Sequence, residues 1–329
     1  MISMMRIRID EAGDFNYHDE TRLSISVVAG IVIPDQSWDA VEQFVRARQS
    51  DWDMTELKAG EMDDAQLMEV AELVIAENLT VAASATDSHI FTADSQALWR
   101  ERQLAVVTAA AARSRRAVED KQVAERVARV QRRTRTERHI KQPNYLQYGI
   151  LMPWLVSHLL STSLLVYRTM APENDSWLMD IVIDERPGAD PGKAGDLLRD
   201  SVEAIFASDD RTALRMPSEW PSNHPFKIKN TDPEVDTISV RQVLAGGINP
   251  GVSHDDAGLQ LADYVAHLVF ALLRDPNDQG AQRAWRALVR APRVMPMQDG
   301  RLIRVMAWPG EHMTEADKLR YERLVPART

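Results

Sequence analysis

The chain has 329 residues, 44% hydrophobic and 27% charged, enough for one large α/β domain with insertions. It holds no cysteine, which excludes disulfides, thiolate zinc sites and cysteine nucleophiles and fits a reducing, cytoplasmic setting. The net charge of −10 argues against a uniformly basic coat for nucleic acid, yet Arg100 to Lys141 carries 13 Lys or Arg against 5 Asp or Glu, a net of +8 that leaves −18 on the remainder.

Met5 to Asp10 alternates apolar Met5, Ile7 and Ile9 with Arg6, Arg8 and Asp10, which predicts a strand ending at Asp10 with a turn at Gly13. Leu23 to Ile33, rich in Val and Ile and stopped by Pro34, predicts a second strand and a hairpin with the first. Helices are expected over Asp39 to Gln49 and Asp63 to Ala76, then a strand over Leu79 to Ala85. Ser95 to Lys141 has no Gly or Pro and much Ala, Arg, Gln and Glu, so it reads as a long helical stretch; Leu146 to Met170 reads as a second, kinked at Pro153. The most apolar run, Ile150 to Tyr167, is broken by Pro153, Ser157, His158 and Ser161 to Ser163. A span needs roughly 20 mostly apolar residues, so a buried helix and no membrane association are expected.

Trp177 to Asp184 reads as a strand, Lys193 to Ala207 as a helix, Arg211 to Glu234 as a surface wrap and Thr237 to Val243 as a short strand. Gly246, Gly247 and Gly251 read as loop punctuation. Asp256 to Arg274 is the clearest helix, with Leu261, Val265, Leu268 and Leu272 at helical spacing. A helix near Ala281 to Arg290, a strand over Leu302 to Ala307 and a last helix complete the order, which suggests a mixed sheet covered by helices.

Asp10 and Asp184 stand at the C-terminal ends of apolar strands, where ligands gather in α/β sheets and where Asp is also ordinary turn chemistry. Asp263 lies inside a helix that is apolar on most of its circumference, a poor position for Asp. Asp256, Gln260, Asp263 and His267 are spaced four, three and four apart and form one stripe. That stripe is either the wet face of the helix or a row aimed at the strand ends carrying Asp10 and Asp184. Three converging carboxylates repel one another unless a cation neutralises them, and oxygen ligands without Cys suit Mg²⁺ or Mn²⁺. Paired ions of that kind serve phosphodiester hydrolysis.

Ile9-Asp10-Glu11-Ala12-Gly13-Asp14-Phe15, Glu56-Leu57-Lys58, Ile181-Val182-Ile183-Asp184-Glu185 and Leu259-Gln260-Leu261-Ala262-Asp263 together resemble the motifs of a bacterial family, domain of unknown function 3800, regarded as ribonuclease-H-like. The first and last motifs carry most of the resemblance, which spans Arg6 to about Leu273. It implies an α/β, ribonuclease-H-like mixed β-sheet flanked by helices. The core would be residues 1–94 and 175–275, with a helical insertion at 95–174 and a C-terminal extension at 276–329. It further implies Asp10, Asp184 and Asp263 as metal-binding catalytic acids, with Glu11 and Glu185 as further ligands. Ala12 departs from the pattern, since the family usually has Ser there.

His254, in the loop before the last core helix, is either a solvated loop residue or a proton carrier of the kind ribonuclease-H-like enzymes sometimes keep there. Asp255 and Asp256 could both cap the positive end of that helix, and capping is the reading favoured for Asp255. Lys58 is a candidate phosphate contact, and Glu61 a conceivable fourth ligand. Arg132, Arg133 and Arg135, within the basic stretch, are candidate contacts to a nucleic-acid backbone; such helices also mediate homodimers. No Walker loop, dinucleotide fingerprint or Gly-x-Ser-x-Gly elbow is present. The expected function is a metal-dependent nuclease acting on DNA or RNA, with phage defence or mobile-element biology as its setting by analogy. The alternative is a non-catalytic adaptor that binds a partner through the helical insertion.

Overall fold

The computed structural model describes residues 3–15, 23–92, 151–160, 177–184, 248–290 and 303–305, with 94–95, 97–98, 101, 147, 198, 202, 227–228, 237–238, 315, 319 and 321. Among these, β1 (Ser3–Gly13), β2 (Ile25–Pro34), β3 (Thr80–Asp87), β4 (Trp177–Asp184), β7 (Ile248–Gly251) and β8 (Ile303–Val305) form one six-stranded sheet ordered β7-β4-β1-β2-β3-β8. A separate pair joins β5 (Lys227–Ile228) to β6 (Thr237–Ile238). The first three strands form an antiparallel meander, whereas β4 runs parallel to β1, β7 parallel to β4 and β8 parallel to β3. The chain is therefore an α/β protein with a mixed sheet.

Both faces of the sheet are covered. On one face, Val27, Ala29, Ile31 and Ile33 of β2 join Val81, Ala83 and Ala85 of β3. They pack beneath α1 (Asp35–Asp51), α2 (Asp64–Ala76), α3 (Ala257–Arg274) and α4 (Gln279–Arg290). On the other face lies the helical stretch 152–160, packed so closely that a Cβ on Gly30 would sit 2.5 Å from Leu159 Cδ1. The strand alternation of β1 thus separates two buried layers rather than a dry face and a wet one: Ile7 and Ile9 are fully buried, and Arg8 and Asp10 nearly so.

Local signals account for the elements. Asp63 caps α2 through a capping box with Gln66, accepting from the N–H groups of Ala65 and Gln66. Asp256 caps α3, accepting from the N–H groups of Gly258 and Leu259.

Two sequence expectations change. β1 does not end at Asp10 but runs three residues further to Gly13, because the hairpin with β2 continues pairing to Gly13↔Ser26. The segment expected as a loop around Gly251 is a strand, β7. It sits at the sheet edge, where Pro250 needs no ladder partner for a missing N–H. Among the described residues after 275, α4 adds Ala284, Trp285 and Leu288 to the core, β8 extends the sheet, and the Tyr321 hydroxyl donates to Asp87 at 2.8 Å. Most of the helical insertion, the surface wrap and the helix over Lys193 to Ala207 lie outside the described residues. Among the described residues, no helix is long and apolar enough to cross a membrane.

Candidate functional site

Register brings two of the acids together. β1 and β4 are parallel neighbours paired as far as Ile9↔Ile183, so Asp10 and Asp184 are the next step along both strands and share a face. Asp10 lies opposite Ala29, whose face belongs to the core under α3. Helix α3 runs along β1 in the same direction: a Cβ on Gly258 would meet Arg8 Cγ at 2.6 Å, and one on Gly13 would meet Phe270 Cε2 at 3.0 Å. Asp263, between those two contacts on α3, comes to the level of Asp10.

The electrostatics follow from that convergence. Burial pushes the Asp10 carboxyl well above the usual carboxylate range, and the charges of Asp263, Asp184 and Glu11 push it further. A hydrogen bond from the Glu11 N–H to Asp10 Oδ1, at 2.6 Å, opposes them. Asp263 is pushed up to about 6, chiefly by burial, against a hydrogen bond from the Ala59 N–H at 3.2 Å. Glu56 and Asp184 raise it as well, and Lys58 lowers it. Each pair among Asp10, Asp184 and Asp263 therefore repels, and the basic group that acts on Asp263 is the exposed Lys58.

The polar stripe of α3 is not its wet face. Gln260 is buried, accepts from the Leu57 N–H at 2.8 Å and from Gln49 Nε2 at 3.2 Å, and donates to the Ser253 carbonyl at 3.0 Å. Asp263 accepts from Ala59, and the His267 ring stands beside Gly60, where a Cβ would come within 3.3 Å of Cε1. Burial lowers the His267 pKa. The stripe thus docks the segment 56–61 by its backbone. Leu57 and Ala59 turn inward and are buried, leaving Glu56 and Lys58 to flank Asp263, with Lys58 Nζ 3.7 Å from Glu56. Glu56 belongs to the site although the sequence marked it only as a letter of a motif; its Glu-x-Lys spacing was the signal.

The remaining candidates separate. Glu11 is opposite Val28, so strand alternation turns it to the other face, where its carboxylate accepts from Gln147 of the helical insertion. It acts on Asp10 by charge and not by sharing a face with Asp263. His254 is largely exposed and lies 3.1 Å from Asp255, at the start of α3, about two helical turns from Asp263. It is not among the groups whose charge acts on Asp10 or Asp263. Asp256, not Asp255, caps the helix, because it is the residue whose carboxylate reaches the free N–H groups of the first turn. Glu61 is exposed in a short turn, residues 59–61. Glu185, Arg132, Arg133 and Arg135 lie outside the described residues.

The donor set is all oxygen and largely buried, which fits Mg²⁺ or Mn²⁺ and not zinc. The carboxylates feel one another without forming a finished cage: among the described residues, no group of three or more His, Asp or Glu stands ready to hold an ion.

No protein-family model, curated protein or solved structure matches this chain.

Proposed function

We propose that the protein is a metal-dependent nuclease with a ribonuclease-H-like core, akin to the family its motifs resemble, hydrolysing phosphodiester bonds of DNA or RNA. The observation that carries this reading is the convergence of Asp10 and Asp184, side by side on parallel strands, with Asp263 of the helix that packs along β1. A scaffold gains nothing from burying three like charges together, because each loses solvation and raises the others. The antiparallel meander followed by strands parallel to β1 supports the fold part of the reading.

Asp10 and Asp184 would hold Mg²⁺ or Mn²⁺ from adjacent strands, and Asp263 would complete the set with Glu56 beside it. When bound, the ions supply charge neutralisation and activation of water for attack on phosphorus. Lys58, exposed at the rim, would meet a phosphate oxygen of the substrate, and the basic stretch of the insertion would hold the nucleic-acid backbone. The Ala59 N–H keeps one Asp263 oxygen oriented, leaving the other for the ion.

The test mixes purified protein with labelled single- and double-stranded DNA and RNA in Mg²⁺, Mn²⁺ or EDTA. Cleavage that requires metal and falls more than about a hundred-fold in Asp10→Asn, beyond the usual cost of losing a supporting residue, is the expected outcome. Substrates left intact under every condition, with a protein partner bound through the insertion, would establish the adaptor instead.

A further inference from the structure

A second grouping lies within a few residues of the first on the same three elements, and a buried arginine holds it together. Arg8 of β1 is nearly buried, with its side chain 5% exposed. Its Nε donates to Asp256 Oδ2 at 2.7 Å and one terminal nitrogen to Asp180 Oδ2 at 2.8 Å. The other terminal nitrogen donates to the carbonyl oxygens of Asp180, at 3.0 Å, and Ile7, at 3.3 Å. The indole of Trp38 lies 5.3 Å from the guanidinium carbon. One planar group thereby ties β1 to β4 and to the N-cap of α3.

The spacing makes this more than an internal salt bridge. Asp10 follows Arg8 by two residues and Asp184 follows Asp180 by four, both even steps that return to the same face of a strand. Asp263 follows Asp256 by seven residues, close to two full turns of helix, and so returns to the same face of α3. Fixing side chains 8, 180 and 256 to one another therefore fixes the relative height and facing of side chains 10, 184 and 263. Gly258 permits it: any larger residue would drive α3 away from Arg8 Cγ and lengthen the reach to Asp256.

Resting on the metal-nuclease reading, we infer that Arg8 is a positioning residue that sets the spacing of the three metal-binding acids through Asp180 and Asp256, without touching metal or substrate itself. Lysine cannot replace it, since a point charge on a flexible stem does not hold two carboxylates in one plane.

The experiment titrates Mn²⁺, followed by its electron paramagnetic resonance, into the full-length protein and the variants Arg8→Lys, Asp256→Asn and Tyr321→Phe. Asparagine is as good an N-cap as aspartate, so Asp256→Asn keeps the helix start while replacing the oxygen that accepts from Arg8 Nε with an NH2 that cannot accept. Tyr321→Phe serves as a destabilised control remote from these elements. At a temperature where circular dichroism shows all four proteins folded, Arg8→Lys and Asp256→Asn should bind Mn²⁺ about ten-fold or more weakly, the scale seen for outer-shell partners, while Tyr321→Phe matches the unaltered protein. Equal affinity in all four, with only lower melting temperatures, would overturn the assignment and leave Arg8 a stabilising residue. An unaltered protein that takes up no Mn²⁺ overturns the metal reading and this one with it, a failure visible before any substitution is made.

Discussion

Two acidic groupings on β1, β4 and α3 meet opposite fates. At the start of the helix, Asp180 and Asp256 are neutralised by a buried arginine that hydrogen-bonds to both. Further along the same elements Asp10, Asp184 and Asp263 converge, and burial together with the neighbouring acids raises the pKa of Asp10 and Asp263. The first grouping is finished by the fold. The second stores unfavourable energy that a bound cation would relieve. Buried acids whose pKa values are raised by one another mark a position to search for function.

The difference can be broken at its strong end. Arg8→Met should cost about 3 kcal/mol of stability, because Asp180 and Asp256 are left half-buried without their cation. Denaturant unfolding measures it, and a loss below about 1 kcal/mol would mean that solvent already satisfies both carboxylates.

The weak end should respond with the opposite sign. Asp263 has an ordinary value of 3.8 when unfolded and about 6 when folded. Well below pH 4 both states keep the proton and nothing is lost. As pH rises from about 4 to about 6 the unfolded chain releases its proton first, so metal-free stability falls across that window. Asp263→Asn should accordingly raise stability by about 2 kcal/mol at pH 7 and change little at pH 3.5, read from melting curves at both values in EDTA. A variant less stable than the parent at pH 7 would show that the carboxylate is well paired there. Saturating metal should close the gap from the other direction: at about a hundred times its Kd it stabilises the unaltered protein by about 2.7 kcal/mol and the variant less.

The smallest effect belongs to the rim. Lys58→Met removes one exposed charge, and should weaken nucleic-acid binding evenly across sequences while reducing the slope of log affinity against log salt by about 1. An unchanged slope would move the phosphate contact elsewhere.

Local pattern was enough to read much of this molecule. Alternation in Met5 to Asp10, the Val- and Ile-rich run before Pro34 and the helical spacing of Leu261, Val265, Leu268 and Leu272 each name an element, because periodicity is a property of neighbours in the chain. The same patterns marked Asp10, Asp184 and Asp263 as unusual. They misread β7, whose Gly and Pro look like a loop until an edge position makes them tolerable. They also missed Arg8, which looks like a solvated strand residue until α3 closes over it.

From its sequence alone the chain dictates which segments become strands and helices and which acids sit in apolar surroundings. Only the tertiary structure decides that β4 lies beside β1, that the α3 stripe grips the 56–61 turn, and that Arg8 reaches both Asp180 and Asp256. Those outcomes depend on contacts between residues 172 to 248 positions apart. Across such separations it is packing of whole faces and the cost of burying charge, rather than any local preference, that selects the partner.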